Sequence, residues 1–343
     1  MLHPSCIELS QPAFQKNLEF IQDYIGQDVR ISAVIKGNAY GHGIDKYMPM
    51  AEKCGIRHFS VFSADEAQKA LRARTADSDI MIMGMIENEE LGWAIEMEIS
   101  FYVFEMDRLQ AALATAKRLR KPARIHLQVE TGMNRLGFSR EGLEEAVQLI
   151  RKHPEHFVVE GLCTHYAGAE SISNYVRIKR QISNFQEIDC WIRKQGVAPK
   201  MRHTACSAAA LTYPETIMDM ARIGIALYGF WPSRETYMHV MKKGDLRFRK
   251  QDPLERIISW KSSVMSIKEV ESGEFVGYGN VYLTSKPSRI ATVPIGYAHG
   301  FGRNLTNMGR VLINGVRAPV AGLVNMNMLT VDITDVPGVK KGD

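Results

Sequence analysis

Residues 33–43 read Ala-Val-Ile-Lys-Gly-Asn-Ala-Tyr-Gly-His-Gly, an apolar run that ends on a lysine and opens into a glycine-rich loop. A buried strand does not readily accommodate an ammonium group, so we expect Lys36 to project from the carboxyl end of a strand. In α/β barrels and doubly wound sheets, active sites lie at that edge. A lysine beside Tyr40 and free loop amides suits a Schiff base with a phosphorylated aldehyde cofactor. The alternative is a lysine that is merely solvated.

Short apolar runs of strand length recur along the first two thirds of the chain. They are Ile31–Lys36, His58–Ser63, Ile80–Met85, Ser100–Phe104, Arg124–Glu130, Val159–Tyr166, Met201–Cys206 and Ala221–Gly229. Segments with apolar residues at i, i+3, i+4 and i+7 lie between them, including Met106–Leu119, Glu141–His153 and Asn174–Lys194. Strands that alternate with helices in this number predict an α/β fold with a closed (β/α)₈ barrel of the TIM type.

One helix start carries a specific signal. Ser63 and Glu66 have the spacing of a capping box, in which each side chain bonds the backbone of the other residue. The spacing predicts a helix that begins after Ser63.

The pattern changes after Met241. Charged residues cluster through Lys242–Glu255, and alternating segments follow at Ile257–Val270, Arg289–Ala298, Gly309–Leu323 and Met328–Thr334. Asn314-Gly315 lies between two apolar runs, which is a strong hairpin signal. We therefore predict a barrel over residues 1–241 and a C-terminal, mainly antiparallel β domain over residues 242–343.

Composition argues against several classes of protein. A net charge of +5 over 343 residues gives no support to nucleic-acid binding. No uncharged apolar stretch is long enough to span a bilayer, and no charged-then-apolar signal segment opens the chain. The cysteines are scattered without a C-x-x-C pair, which is neither a disulfide framework nor a zinc ligand pattern. We expect a cytoplasmic protein without membrane, nucleic-acid or metal partners.

The lysine segment closely resembles the pyridoxal-phosphate motif of the alanine racemase family, and further family motifs follow in order. They are His126–Gly137, Gly161–Ala167, His203–Ala209, Ala221–Gly229, Gly277–Gly279, Gly296–Ala298 and Asn325–Met326. The resemblance covers almost the whole chain. It implies an enzyme that uses pyridoxal 5'-phosphate to interconvert L-alanine and D-alanine, supplying D-alanine for peptidoglycan.

Racemisation removes a proton from one face of Cα and returns a proton to the other face. It therefore needs two acid/base groups on opposite faces. The resemblance assigns these roles to Lys36 and Tyr278. It also implies that His165 contacts Tyr278 and relays to Arg222.

The resemblance further implies which groups hold the cofactor. Arg222 would face the pyridine nitrogen, where a guanidinium can donate a hydrogen bond but does not give up its proton; the alternative is a structural ion pair at the barrel mouth. The phosphate would be held by Ser207, the Tyr40 hydroxyl and the amides near Gly224 and Ile225.

Three residues are implied to bind or select the substrate. The planar fork of Arg135 suits the substrate carboxylate and the phenolic oxygen of the cofactor. Met326 would lie beside the substrate methyl group, although an ordinary core methionine is an alternative. Tyr297 would narrow the entrance.

In this family the β domain of one chain caps the barrel of its partner. The resemblance therefore implies that Tyr278 and Met326 reach the active site of the other subunit. We expect a head-to-tail homodimer with composite active sites.

Several residues depart from the family pattern. Gln128 stands where a lysine is usual, Glu130 replaces an aspartate and His299 replaces an aspartate. The common Arg, Cys and Asp around Met326 are replaced by Leu323, Asn325 and Asn327. These changes remove charges near the entrance, which leaves a serine or broad-specificity amino-acid racemase as an alternative.

The end of the chain also departs from the pattern. Val336–Asp343 resembles a turn that leads into another strand, whereas family members continue and supply a tyrosine that touches the phosphate. A shortened site leaves a non-catalytic pyridoxal-phosphate-binding protein as a further alternative.

Overall fold

The computed structural model of the protein describes residues 5–243 and 252–343, which form two compact units. One unit comprises Leu9–Ile258. The other comprises Ser259–Asp343 together with the described residues before Leu9.

The first unit is a barrel of parallel strands. Strand β1 (Ser5–Leu9) precedes it. The barrel strands are β2 (Arg30–Val34), β3 (His58–Val61), β4 (Asp79–Ile82), β5 (Ser100–Val103), β6 (Ala123–Gln128), β7 (Phe157–Cys163), β8 (Met201–His203) and β9 (Met220–Ile223). Their order is β8-β7-β6-β5-β4-β3-β2-β9, and a parallel bridge between Cys206 and Arg222 joins the two ends. The predicted (β/α)₈ barrel is confirmed.

Each barrel strand ends before the last residue of the apolar run that predicted it. The run to Lys36 ends as a strand at Val34, and the run to Tyr166 ends at Cys163. The last residues of each run lie in the loops at the carboxyl edge of the sheet, and some of them, such as Lys36, His165 and Cys206, line a cavity there.

Helices surround the barrel. They are α1 (Gln11–Ile25), α2 (Lys36–Tyr40), α3 (Ile44–Lys53), α4 (Ala64–Ala73), α5 (Leu91–Glu96), α6 (Met106–Leu119), α7 (Arg140–Lys152), α8 (Tyr175–Lys194), α9 (Ser207–Thr212) and α10 (Arg234–Lys243). Element α2 differs from the others in being a single left-handed turn. The three helices predicted by spacing are confirmed to within one residue at each end. In residues 5–243 and 252–343, no helix combines the length and apolarity needed to cross a bilayer.

The two faces of strand β6 differ, because one joins the apolar core and the other carries polar side chains. On β6, Ile125 and Leu127 belong to the apolar core, which also contains the buried faces of the helices. Their neighbours Arg124, His126 and Gln128 alternate with them and face polar partners. Barrel interiors are commonly filled with branched apolar residues, so the polar side chains of β6 distinguish this barrel from most.

The second unit is a set of antiparallel strands with its own apolar core. Its strands are β10 (Ile258–Ser262), β11 (Ser266–Val270), β12 (Ser288–Val293), β13 (Arg310–Ile313), β14 (Val316–Pro319) and β15 (Leu329–Asp332). The sheet β11-β12-β15 is antiparallel, and β1 pairs with β10. Asn314 and Gly315 have φ of 50° and 78°, as the tight turn between β13 and β14 requires. The predicted antiparallel domain is confirmed.

The division between the units differs from the predicted boundary at residue 241. Leu254 and Ile257 are buried in the barrel core. The Asn17 side chain donates to the Glu255 carbonyl and accepts from the Glu255 amide. These contacts carry the barrel unit to Ile258. Most of the charged stretch that suggested the earlier boundary lies at residues 244–251, outside the described residues.

Candidate active site

A cavity of about 580 Å³ lies at the carboxyl ends of the barrel strands. Residues that follow or end the strands line it, which places loop side chains from most of the barrel around one space. The lining comprises Val34, Lys36, Tyr40, Phe62, Met83, Tyr102, Gln128, Arg135, Leu136, Thr164, His165, Cys206, Ser207, Ala208, Arg222, Gly224, Ile225 and Pro232.

Lys36 opens a left-handed turn. Gly37, Asn38, Ala39 and Tyr40 have φ between 52° and 62°, a region that costs energy for residues other than glycine. The Ala39 amide donates to the Ile35 carbonyl across 2.7 Å and helps to hold the turn. The turn places both Lys36 and Tyr40 on the cavity wall.

A buried carboxylate fastens this turn to the next strand. Glu66 accepts hydrogen bonds from the backbone amides of Asn38 at 3.0 Å and Phe62 at 2.9 Å. The predicted capping box is therefore wrong, because Glu66 bonds these two amides and the Ser63 hydroxyl donates to Asp65. Helix α4 does begin after Ser63, but its third residue, Glu66, holds the turn at Lys36 instead of capping the helix.

Tyr40, Ser207 and Gly224 form a narrow cradle at one end of the cavity. The Gly224 amide donates to Oγ of Ser207 across 3.0 Å. A Cβ atom on Gly224 would lie 2.5 Å from the Tyr40 hydroxyl, so glycine is required for this close approach. Burial raises the pKa of Tyr40, as does the Cys206 thiol, so the phenol stays protonated and can donate.

The ring of Tyr40 is held by a second tyrosine. Tyr228 lies with its ring centroid 4.8 Å from that of Tyr40, and its hydroxyl donates to the Val34 carbonyl across 2.9 Å. Tyr47 stacks on the ring of Tyr228, at a centroid distance of 4.6 Å. This aromatic cluster fixes the direction of the Tyr40 hydroxyl.

Arg222 is a buried cation without a carboxylate partner in the described parts of the chain. Its NH1 group donates to Nδ1 of His203 at 2.7 Å and to the His203 carbonyl. Its NH2 group donates to the carbonyls of Thr164 at 2.8 Å and Thr204 at 3.2 Å. Neutral acceptors hold the charge, and the structural ion pair considered from the sequence is not found among the described residues.

Arg135 lies on a loop that Glu130 organises. The Glu130 carboxylate accepts from four backbone amides at 2.5–3.4 Å, and these belong to Gly132, Met133, Asn134 and Arg135. Burial raises the pKa of Glu130, but the four amide donors outweigh it and hold that pKa below its usual range. The carboxylate thus stays charged and fixes the loop.

Gln128 supports the same loop from the barrel side. Its amide nitrogen donates to the Leu136 carbonyl across 3.2 Å, next to Arg135 in the chain. The amide therefore braces the backbone of the loop, and no hydrogen bond from it to the Arg135 guanidinium is found among the described residues.

His165 lies among the cations of the cavity. Burial lowers its pKa to about 3, and the charges of Arg222, Arg135 and Lys36 act in the same direction. The ring is therefore neutral at physiological pH. The imidazole that bonds Arg222 is that of His203, and no bond from His165 to Arg222 is found in residues 5–243 and 252–343.

The charges of the cavity have one sign. Lys36, Arg135 and Arg222 line it, whereas none of its described lining residues is an aspartate or glutamate. Because opposite charges attract strongly in a partly buried site, such a cavity favours a ligand with several negative charges.

The second unit gathers another group of predicted residues. Tyr278, Tyr297 and Met326 line a concavity of about 370 Å³. The Tyr297 and Ala298 amides each donate, across 3.0 Å, to carbonyls of Asn325 and Met326. Tyr278 lies at a loop tip between two glycines of positive φ, and its side chain is 72% exposed.

Comparison with known proteins agrees with this geometry. The family model "Alanine racemase, N-terminal domain" matches residues 9–232, and "Alanine racemase, C-terminal domain" matches residues 257–343. The chain belongs to the alanine racemase family.

Alanine racemases are also its relatives along nearly the full length. That of Leptospira interrogans is 32% identical over 342 residues, which cover 99% of this chain and 85% of that protein. That of Desulforamulus reducens is 34% identical over 346 residues, 100% of this chain and 89% of that protein.

Solved alanine racemases share the fold. The structure from Clostridium difficile 630 has a TM-score of 0.88 at 30% identity, covering 100% of this chain and 86% of that one. The structure from Bacillus anthracis with bound L-Ala-P has a TM-score of 0.82 at 30% identity, covering 100% and 84%.

The residues implied by the resemblance to alanine racemases fall into two groups. The barrel cavity brings together Lys36, Tyr40, Arg135, His165, Ser207, Arg222, Gly224 and Ile225. The concavity of the second unit holds Tyr278, Tyr297 and Met326, along with the divergent Leu323, Asn325 and Asn327.

Some site residues of this alanine racemase family member were missed by sequence reasoning. The spacing of Glu66 to Ser63 indicates a helix cap, and nothing in the sequence around His203 indicates its bond to Arg222. Tyr102 and Phe62 gave no signal, because apolar and aromatic residues at strand ends look like core. Burial together with position at a strand end would have been needed to identify them.

Proposed function

We propose that the protein is a pyridoxal-phosphate-dependent racemase that interconverts L-alanine and D-alanine. The observation that carries the proposal is the barrel cavity, which Lys36 and two arginines line and which has no carboxylate among its described lining residues. An anionic cofactor and the carboxylate of an amino acid are the ligands that such a cavity favours.

The residues present fit pyridoxal 5'-phosphate. Lys36 would hold it through its amine, and Ser207 and Tyr40 would hold its phosphate beside the backbone of Gly224 and Ile225. Arg222 has five N–H donors, of which four are used by protein acceptors, so Nε–H is left for a ring nitrogen. When bound, the cofactor supplies the electron sink that makes the Cα proton of an amino acid acidic.

Two groups of this protein would move the proton at Cα. Lys36 would serve one face, and Tyr278 of the partner subunit would serve the other. The exposed tip position of Tyr278 suits a residue that completes a neighbour's site. His165, neutral and close to the cavity cations, would accept a hydrogen bond from the phenol.

The roles of the remaining site residues follow from the same proposed reaction. Arg135, on the loop that Glu130 fixes, would bind the substrate carboxylate. Met326 and Tyr297 would shape the entrance from the second subunit of a homodimer. We place the protein in the cytoplasm, where its five unpaired cysteines fit a reducing environment, and its D-alanine would serve peptidoglycan synthesis.

A racemase of serine or of several amino acids is the second candidate. Asn325 and Asn327 line the concavity that holds Met326, and their amides can bond a hydroxyl group on a substrate side chain.

The deciding experiment incubates the holoenzyme separately with L-alanine and L-serine in deuterated water. We expect deuterium at Cα with inversion, faster for alanine. Faster exchange of serine would support the second candidate. A bound cofactor without any exchange would show a non-catalytic binding protein and refute both racemase proposals.

Two variants test the roles of the bases. Lys36→Ala should abolish the visible absorption band of the bound cofactor. Tyr278→Phe should keep that band but slow turnover of one enantiomer more than the other. Wild-type rates in both directions would refute the assignment of Tyr278.

A further inference from the structure

A chain of hydrogen bonds runs from Arg222 across the interior of the barrel. Arg222 NH1 lies 2.7 Å from Nδ1 of His203, and Nε2 of His203 lies 2.9 Å from Nδ1 of His126. Nε2 of His126 lies 3.2 Å from Oγ of Ser100, which donates to the Ile80 carbonyl across 3.3 Å. Every side chain in this chain is buried.

The direction of each hydrogen bond follows from its two ends. A guanidinium can only donate, so Nδ1 of His203 must accept and its proton must lie on Nε2. That proton is donated to Nδ1 of His126, whose own proton then lies on Nε2 and is donated to Ser100. The backbone carbonyl at the far end can only accept. Both imidazoles are thereby fixed as neutral Nε2–H tautomers.

The electrostatic surroundings agree with neutral rings. Burial lowers the pKa of His203 well below its ordinary value, and the charge of Arg222 and the neighbouring imidazoles lower it further. Burial likewise lowers the pKa of His126, together with His58 and Arg124.

A glycine makes room for the contact between the two histidines. A Cβ atom on Gly161 would lie 2.4 Å from Nδ1 of His126 and 2.6 Å from Nε2 of His203, the two atoms that share the proton. Strand β7 brings Gly161 to this place through a register shift, in which His126 pairs with Gly161 and Glu160 is passed over.

We propose that His126 is a positioning residue that acts on Arg222 through His203. Because its Nδ1 accepts from His203, the opposite nitrogen of His203 is kept as an acceptor for Arg222 NH1. The guanidinium is then held by four acceptors and presents only Nε–H to a ligand in the cavity. That this Nε–H group faces the cofactor ring rests on the function proposed above. The order of the hydrogen bonds does not depend on that function.

The order can be measured without any variant. The ¹⁵N shifts of the histidine rings, recorded at neutral pH on the holoenzyme with ¹⁵N-labelled histidine, report which nitrogen carries the proton. We expect Nε2–H with an unprotonated Nδ1 for both His126 and His203. An imidazolium ion or an Nδ1–H tautomer at either residue would overturn the proposal.

Variants of His126 separate positioning from packing. His126→Asn keeps an acceptor at the place of Nδ1, whereas His126→Leu has similar bulk but no acceptor. We expect His126→Leu to weaken pyridoxal-phosphate affinity roughly tenfold and to shift the visible band of the bound cofactor. His126→Asn should stay within about threefold of the wild type. Equal affinities and spectra for wild type and His126→Leu would refute the proposal.

Gly161→Ala tests the same contact if His126→Leu does not fold. Its methyl group separates the two rings without removing either, so Nε2–H of His203 loses its acceptor, the ring is no longer held, and the affinity should fall as in His126→Leu. Gly92→Ala, whose Cβ meets only the flexible end of Arg118, is the matched control. A Gly161→Ala protein with unchanged cofactor affinity and an unchanged visible band would refute the proposal. Expected tautomers in a protein without racemase activity would refute only the proposed function.

Discussion

Nδ1 of His203 accepts a hydrogen bond from Arg222 across 2.7 Å, inside a barrel where Arg222 has no carboxylate partner among the described residues. Burying an unpaired cation is expensive unless its donors are satisfied. Four neutral acceptors provide this, and they leave the positive charge uncompensated at the cavity. The barrel thus maintains a cationic site without neutralising it, which is what an anionic ligand requires.

The cradle around Gly224 predicts the effect of one methyl group. Gly224→Ala should weaken pyridoxal-phosphate affinity about tenfold or more, because its Cβ would lie 2.5 Å from the Tyr40 hydroxyl. The ring carbon that bears this hydroxyl is 3.3 Å away, so Tyr40→Phe relieves most of the clash. In a double-mutant cycle, measured by cofactor titration, Gly224→Ala should therefore cost less in the Tyr40→Phe background. Additive losses of cofactor affinity in the double variant would contradict the close approach of Tyr40 to Gly224.

The Glu130 carboxylate predicts a change in substrate binding. Glu130→Gln replaces an acceptor by an amide group that faces backbone donors, so we expect a loss of about 1–2 kcal/mol in loop stability and a higher KM for alanine. The kcat value should change less. Glu89→Gln, an exposed carboxylate, is the control.

The effect of Glu130 should also depend on pH. Its folded pKa is depressed, so its stabilisation is present above the unfolded value of about 4.5 and fades as the pH falls through the folded value. Unfolding free energies of wild type and Glu130→Gln should converge in acid. A constant difference down to low pH would contradict this account.

The buried histidines predict a loss of stability in mild acid. Burial lowers the pKa of His58 to about 3 and the pKa values of His126 and His203 well below 6.5. Below about pH 6.5 the unfolded chain binds protons that the folded chain does not, so stability is present above that pH and is lost as it falls. Each ring contributes about 1.4 kcal/mol per pH unit.

Urea unfolding at several pH values measures this loss. His58→Asn should reduce the slope of unfolding free energy against pH by the contribution of one ring, about 1.4 kcal/mol per pH unit. An identical slope in wild type and His58→Asn would show that the buried ring does not resist protonation.

The base of the barrel predicts a purely structural effect. Arg124 bonds Glu160 at 2.7 Å and Asp79 at 3.0 Å, and both carboxylates are partly or fully buried. Arg124→Met leaves Asp79 paired with Arg30 and Glu160 paired with Lys200 but removes the cation that joins them, so we expect a loss of about 1–2 kcal/mol in the free energy of unfolding. Lys69→Met breaks only an exposed pair with Asp65 and should cost less than about 0.5 kcal/mol. Similar losses in both variants, measured by denaturant unfolding, would contradict a buried network.

Local patterns predicted the elements well because they depend on neighbouring residues. Helix α7 buries Leu143, Ala146, Val147 and Ile150, which is the spacing that identified it. Glu66 shows where local reasoning fails. Its spacing to Ser63 fits a helix cap, but the tertiary contact with the Asn38 amide, 28 residues away, competes for the same carboxylate and is formed instead.

The sequence alone determined the barrel, the antiparallel unit and the order of the motifs, since periodicity and turn residues are encoded over a few positions. How Arg222 is held depends on contacts between strands that are distant in the sequence. The pairing of His126 with His203 depends on a register shift beside Gly161 and on strands far apart in the chain. Side chains that meet across a closed barrel show no periodic pattern in the sequence. The closing of the barrel brings them together, and their separation along the chain follows no fixed spacing.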